Sequence, residues 1–307
     1  MNRATSKKWI NLATKHACNH PVTSLGLAVA VFSVFVLVLQ SMSQLYSNGM
    51  TTAVSLALTA GMAGFVATSL GALPALTVGK LPAKIEDSML GFAAGMMLAA
   101  SVFSLIIPGI QAGTAINNSK IFGLGLVVLG IGLGVLLMLG LDQFTPHKHE
   151  TLGEFGPGHQ QYGRVWLFVF AIALHNLPEG MAMGVSFSRA DMSVGLPLST
   201  AIAIQDIPEG LAVALSLRNA AIRPITAVLV AALSGLLEPI GALLGVTMAS
   251  GMPAAYPIGL GLAAGAMVFV VSHEVIPETH RNGHQTYATI GLMCGFVTMM
   301  VLDTALG

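Results

Sequence analysis

Stretches of about 20 apolar residues recur from one end of this 307-residue chain to the other, each the length a helix needs to cross the hydrocarbon core of a bilayer. Only 8% of the residues are charged and 54% are hydrophobic. A soluble domain carries about 25% charged residues, so this chain cannot cover a water-facing surface. The runs are continuous rather than alternating, as in LGLAVAVFSVFVLVLQ (25–40), which favours helices over barrel strands. The expected fold class is an all-α polytopic membrane protein. Breaks at Gly, Pro and charged residues give nine spans: 24–44, 51–79, 84–111, 120–142, 164–188, 193–217, 224–249, 256–280 and 285–306.

Charge placement orients these spans. With the N-terminus in the cytoplasm, Arg3, Lys7, Lys8, Lys15, Lys80, Lys84, Lys148, Arg164, Arg218, Arg223 and Arg281 fall on the cytoplasmic side, and only Lys120 and Arg189 fall outside. That bias follows the positive-inside rule and puts the C-terminus in the periplasm. The chain divides into a basic segment 1–23, an anchor helix 24–44, three helices within 51–142, a hydrophilic loop 143–163, three helices within 164–249 and a final pair within 256–307. The anchor is too long, and lacks a small-x-small site, for a cleaved signal peptide. Two cysteines, Cys18 and Cys294, indicate neither a disulfide framework nor a thiolate metal cluster.

HNLPEG (175–180) and QDIPEG (205–210) fall at the midpoints of the fifth and sixth spans. A charged acid at that depth costs about 2.5–3.5 kcal/mol even on the lenient insertion scale. No Lys or Arg is placed at the same depth, so a cation from outside the sequence, or protons, must compensate Glu179, Asp206 and Glu209. His175, Asn176 and Glu179 share one helix face, as do Gln205, Asp206 and Glu209. Pro178 and Pro208 cannot donate to the carbonyls of Leu174 and Ile204, so both helices are expected to bend or open beside their clusters. Paired broken helices at the midplane point to a transporter binding site. Glu238, in LLEPIG, lies at similar depth, and Met97, in GFAAGMMLAAS, offers a thioether.

Mixed nitrogen and oxygen donors suit a borderline transition metal, Zn2+ first, with Cd2+, ferrous iron and manganese able to use the same set. Four acids exceed the charge of one dication, which favours two metals bridged by Glu179 and Glu209, or shared protons. A lone His or Asn in such a helix is more often an interhelical hydrogen bond, and Met97 alone more often packing. Three acids at one depth with an imidazole and amides are not covered by that reading.

Other polar residues carry weaker signals. Asp142, His147 and His149 in or beside the loop would collect metal or simply be solvated. His273, Glu274 and Glu278, in SHEVIPETHR, mark a cytoplasmic exit or a water interface. Asp303 marks an entrance or only a helix end. HEVIP lacks the second histidine of HExxH, since Pro277 stands there, which weakens an intramembrane metallohydrolase. Pro74 replaces the glycine a P-loop needs before Gly79-Lys80, which argues against nucleotide-driven pumping. An exporter built on the same site stays open, and no nucleic-acid partner is expected.

HNLPEGMAMGVSF, QDIPEGLAVALSL, GFAAGMMLAASVFSLIIPG, LLEPIGALLG and SHEVIPETHR resemble the ZIP (Zrt-, Irt-like protein) family of divalent-metal transporters, from about residue 51 to the end. The extra first helix and Gln205, where many members have histidine, depart from its pattern. The resemblance implies an eight-helix core with an inverted repeat, and one metal site of Met97, His175, Glu179, Gln205 and Glu209. A neighbouring site would use Asn176, Glu179, Asp206, Glu209 and Glu238. It implies import into the cytoplasm across a bacterial inner membrane, with lipid and a divalent metal as partners. It also implies a homodimer and an elevator-like slide of the 51–79 and 164–249 helices against the rest.

Overall fold

A computed structural model describes residues 17–48, 52–78, 81–144, 147–149, 153–155, 176–219, 222–250, 252–280 and 283–306. In chain order the helices are α1 Pro21–Asn48, α2 Thr52–Ala72 with a 3-10 turn to Leu76, α3 Ala83–Asn117 and α4 Lys120–Phe144. After them come α5 at 176–186, α6 Met192–Asn219, α7 Pro224–Ala249, α8 Ala255–Thr279 and α9 Gln285–Leu306. Between α4 and α5 a two-stranded antiparallel ribbon, β1 His147–His149 and β2 Gly153–Phe155, pairs His147 with Phe155. The expected all-α chain therefore carries a small sheet in its hydrophilic loop.

Among the described residues seven helices, α2, α3, α4 and α6 to α9, are long and apolar enough to cross a membrane. The expected span 164–188 enters the description only as α5, and α1 supplies a shorter apolar stretch, Pro21–Leu37. The bundle is apolar outside as well as inside: Ile121 is 84% and Phe32 66% exposed, the outward face of a protein solvated by lipid. Tyr287, Ile290, Met293, Val297 and Val301 of α9 are all about half exposed, so that helix lies at the periphery.

Two helices depart from regular α-geometry next to a proline. The α3 helix carries a π segment, Ser101–Ile106, ahead of Pro108, and α8 carries one, Val271–Val275, ahead of Pro277. The wider turn takes up the hydrogen bond each proline removes. The α3 helix therefore runs 35 residues, past the end at 111 that the sequence predicts.

Glycines decide which helices touch. Without a hydrophobic drive between helices in lipid, association depends on close backbone approach at small residues. A Cβ on Gly91 or Gly95 of α3 would fall on the carbonyl oxygens of Ala288 or Leu292, and one on Gly291 or Gly295 of α9 on those of Ser88 or Phe92. The same reciprocal lock joins Gly130 and Gly134 of α4 to Gly261 and Gly265 of α8, Gly180 and Gly184 of α5 to Gly241 and Gly245 of α7, and Gly71 of α2 to Gly210 of α6. Direct α3–α4 contact at Gly113 and Gly123, and α2–α7 contact at Gly61 and Pro239, completes two groups. One is α3, α4, α8 and α9; the other is α2, α5, α6 and α7. Between them, the three atoms nearest a Cβ built on Gly259 of α8 are side-chain atoms of Val185, Met248 and Ala249, at 3.2–3.4 Å.

A side chain inside a lock has nowhere to go. Gly295→Val is expected to abolish monodisperse, detergent-stable protein by size-exclusion chromatography. Gly132→Val on the outer face of α4, where a Cβ meets nothing within 4 Å, should leave the elution profile unchanged.

Candidate metal site

The buried acids converge within the second group. The α5 helix brings Asn176 and Glu179, α6 brings Gln205, Asp206 and Glu209, and α7 brings Glu238. Glu179, Gln205 and Glu238 are fully buried, and Asp206 and Asn176 nearly so. One carboxylate oxygen each from Glu179, Asp206 and Glu209 lies within 4.8 Å of the others. Two oxygens on one zinc stand at most about 4.4 Å apart, given bonds of 2.0–2.2 Å, so a small side-chain rotation closes the set on an ion.

Hydrogen bonds hold the ring of donors. Gln205 donates from Nε2 to Glu179 Oε1 at 2.8 Å, and Thr68 of α2 donates to Glu238 Oε1 at 2.9 Å. Gln205 Oε1, Asp206 Oδ2 and Glu238 Oε2, all acceptors, are buried with no hydrogen-bond partner among the described residues. A buried polar atom left unsatisfied costs about 1–3 kcal/mol, more when charged. The residues thus fit a bound cation, which would pull the carboxylate oxygens together.

Gly64 and Thr68 are site residues that sequence reasoning missed. A Cβ on Gly64 would overlap Glu238 Oε2 and sit 3.1 Å from Asp206 Oδ2, so the two carboxylates occupy the hollow that glycine leaves in α2. The available signal was the stripe Ala60, Gly61, Gly64, Ala67, Thr68 and Gly71, buried along one face, with Thr68 its one hydroxyl. Thr68→Val keeps the shape and removes the donor, which leaves a further carboxylate oxygen unsatisfied. The metal-free melting temperature is expected to fall by several degrees, consistent with about 1–3 kcal/mol, and a thermal scan checks it.

The helices at the site differ from expectation. The α6 helix is unbroken through both Pro197 and Pro208; one missing donor is absorbed without opening the helix. The break lies in α7 instead, at Gly235–Leu236, and it places Glu238 in the first turn of Leu237–Ala249 rather than at mid-helix. Ser234 Oγ takes up the carbonyl of Ala231 at 2.7 Å beside that break.

The remaining expected residues are scattered. Met97 is buried on α3 of the other group. His175 lies outside the described residues. His147 and His149 fall on β1. Asp142, at the end of α4, and His273, on the π segment of α8, do meet: His273 Nε2 stands 3.8 Å from Asp142 Oδ2, with the Phe269 ring 5.0 Å from the imidazole. Glu274 and Glu278 are half-buried on the same helix. Asp303 Oδ1 accepts from Ser104 Oγ at 2.6 Å, tying α9 to the π segment of α3.

Comparison with known proteins places the chain in a family. A family model described as "ZIP Zinc transporter" matches residues 145–303. The chain is 58% identical over 291 residues to "Zinc transporter ZIPB" of Bordetella bronchiseptica, which covers 95% of this chain and 94% of the relative. It is 41% identical over 250 residues to "Zinc transporter GufA" of Myxococcus xanthus, covering 81% and 98%. It is 33% identical over 256 residues to "Zinc transporter ZupT" of Stenotrophomonas maltophilia, covering 80% and 94%.

Proposed function

Since the chain belongs to the ZIP zinc transporter family, we propose that it carries Zn2+, and Cd2+ by the same donors, into the cytoplasm through the cluster of Glu179, Asp206, Glu209 and Glu238. The observation that carries this reading is three carboxylates with oxygens within 4.8 Å of one another, set in apolar helices whose cores hold no lysine or arginine. A carrier must bind its cargo in place of water, then release it. The acids neutralise the dication, while Asn176 and Gln205 add neutral donors that keep the site from holding it too tightly. The formal charge of four carboxylates matches two dications, which supports a binuclear site with Glu179 and Glu209 as bridges. The transporter names of the relatives favour transport over hydrolysis at the same residues.

The architecture supports an elevator. The acid cluster belongs wholly to the group α2, α5, α6 and α7, while Met97 sits on the other. The backbone-to-backbone glycine locks join helices within a group, whereas the atoms nearest a Cβ on Gly259 across the seam belong to side chains. Two bodies, each locked internally by backbone contact, can slide past one another, which moves the cluster from one face of the membrane to the other. Nine spans, with the N-terminus in the cytoplasm of a bacterial inner membrane, and a homodimeric assembly complete the proposal. Radiolabelled zinc accumulating in cells that express the chain supports import. Accumulation only in inverted vesicles assigns export instead.

A further inference from the structure

A second recess lies away from the acid cluster, where the starts of α3 and α9 meet the middle of α6. Its volume is about 570 Å³, and its walls include Lys84, Ile85, Met89 and Phe92 of α3, Tyr287 of α9 and Pro208 of α6. From Lys84 to Phe92 the groove follows α3 for about 12 Å, starting at the helix end, where the polar headgroups of a leaflet lie, and descending into its hydrocarbon.

Its polarity is graded in the same sense. At the mouth Lys84 Nζ stands 5.1 Å from the centroid of the Tyr287 ring, exposed and held over the opening. Asp87, the acid one turn along α3, is 1% exposed and accepts from His284 Nδ1 at 3.0 Å, so it does not compete for the ammonium. Glu86 leaves α3 on another side. Deeper in, the wall is isoleucine, methionine, phenylalanine and proline. A cation above a channel of hydrocarbon dimensions is complementary to an anionic amphiphile.

We propose that this groove holds one anionic phospholipid of the adjoining leaflet, its phosphate on Lys84 and one acyl chain laid along Ile85, Met89 and Phe92 to Pro208. The chain end then rests on the residue preceding Glu209. The bound lipid also bridges the two helix groups, since Pro208 belongs to one and the rest of the wall to the other.

The test is native mass spectrometry of the purified full-length chain in detergent, with equal amounts of dioleoyl phosphatidylglycerol and dioleoyl phosphatidylcholine. Wild type is expected to retain one phosphatidylglycerol per chain in preference to phosphatidylcholine. Lys84→Glu should weaken that retention about tenfold without changing phosphatidylcholine, and Lys84→Arg should preserve it. Ile85→Trp, which fills the groove at an exposed position and leaves the charge in place, should also lose the lipid. Equal retention of the two lipids by wild type, unchanged phosphatidylglycerol binding in Lys84→Glu, or displacement of the lipid by inorganic phosphate would overturn the assignment. Because the readout is lipid mass, it stands or falls independently of zinc transport.

Discussion

Glu179→Ala and Glu209→Ala are each expected to reduce zinc uptake into proteoliposomes at least about a hundredfold while the protein still folds. Both residues contribute an oxygen to the three-acid cluster, and both would serve as bridges if two ions bind. Breaking a buried ionic arrangement by removing one partner costs about 3–5 kcal/mol, and a hundredfold in affinity corresponds to about 2.8 kcal/mol. Folding should survive because, without metal, the acids repel one another in an apolar setting, so alanine removes a penalty from the empty protein. Two measurements separate these effects. Wild type should melt at a higher temperature as zinc is added, since a ligand that binds only the folded state stabilises it. The variants should melt as a single transition that zinc no longer shifts. Undiminished uptake by both variants would remove the cluster from the transport path.

Much of this site was legible because membrane depth makes polarity expensive. HNLPEG and QDIPEG could be placed at mid-span by counting, and helical spacing put Glu179 and Asn176, or Asp206 and Glu209, on common faces. Their convergence follows from the antiparallel run of consecutive helices: oxygens of Glu179, Asp206 and Glu209 lie within 4.8 Å of one another, and Glu238 shares the hollow at Gly64 with Asp206. Gly64 was not legible in the same way. Its contribution is an absence, a missing Cβ where Glu238 and Asp206 lie, and one glycine in a Gly/Ala-rich helix carries no mark of which neighbour fills its hollow. The continuity of α6 through Pro208, and the π turn of α3 ahead of Pro108 with its extension beyond 111, were also missed. A proline forbids one hydrogen bond, but whether the helix breaks, widens into a π turn or simply continues depends on packing from helices remote in sequence. The Asp87–His284 pair carries no mark in the sequence, because its two residues stand 197 positions apart and meet through the packing of α3 on α9.

A covalent tie between the two helix groups is expected to stop uptake, and a tie within one group is expected to spare it. Gly259 of α8 and Ala249 of α7 face each other across the seam, with the Cβ positions 3.3 Å apart, a few tenths of an ångström inside the usual disulfide spacing. With Cys18 and Cys294 first changed to serine, the double variant Gly259→Cys/Ala249→Cys should form a disulfide on mild oxidation. Oxidised protein should lose nearly all zinc flux and regain it on reduction. Gly109→Cys/Leu260→Cys is the matched control: its Cβ positions are 3.4 Å apart, but both helices, α3 and α8, lie in the same group. Its oxidation should leave flux within about twofold of the reduced form. The location of the first tie sharpens the result. It lies at the same end of the bundle as Arg189, whose guanidinium stacks 4.1 Å from the Tyr256 ring across the same seam. A rocking motion could pivot about a fixed point there and keep transporting, whereas a slide cannot proceed with one end pinned. Full flux through the oxidised cross-group variant, with cross-linking verified by mass, would therefore exclude the sliding mechanism while leaving the metal site itself untouched.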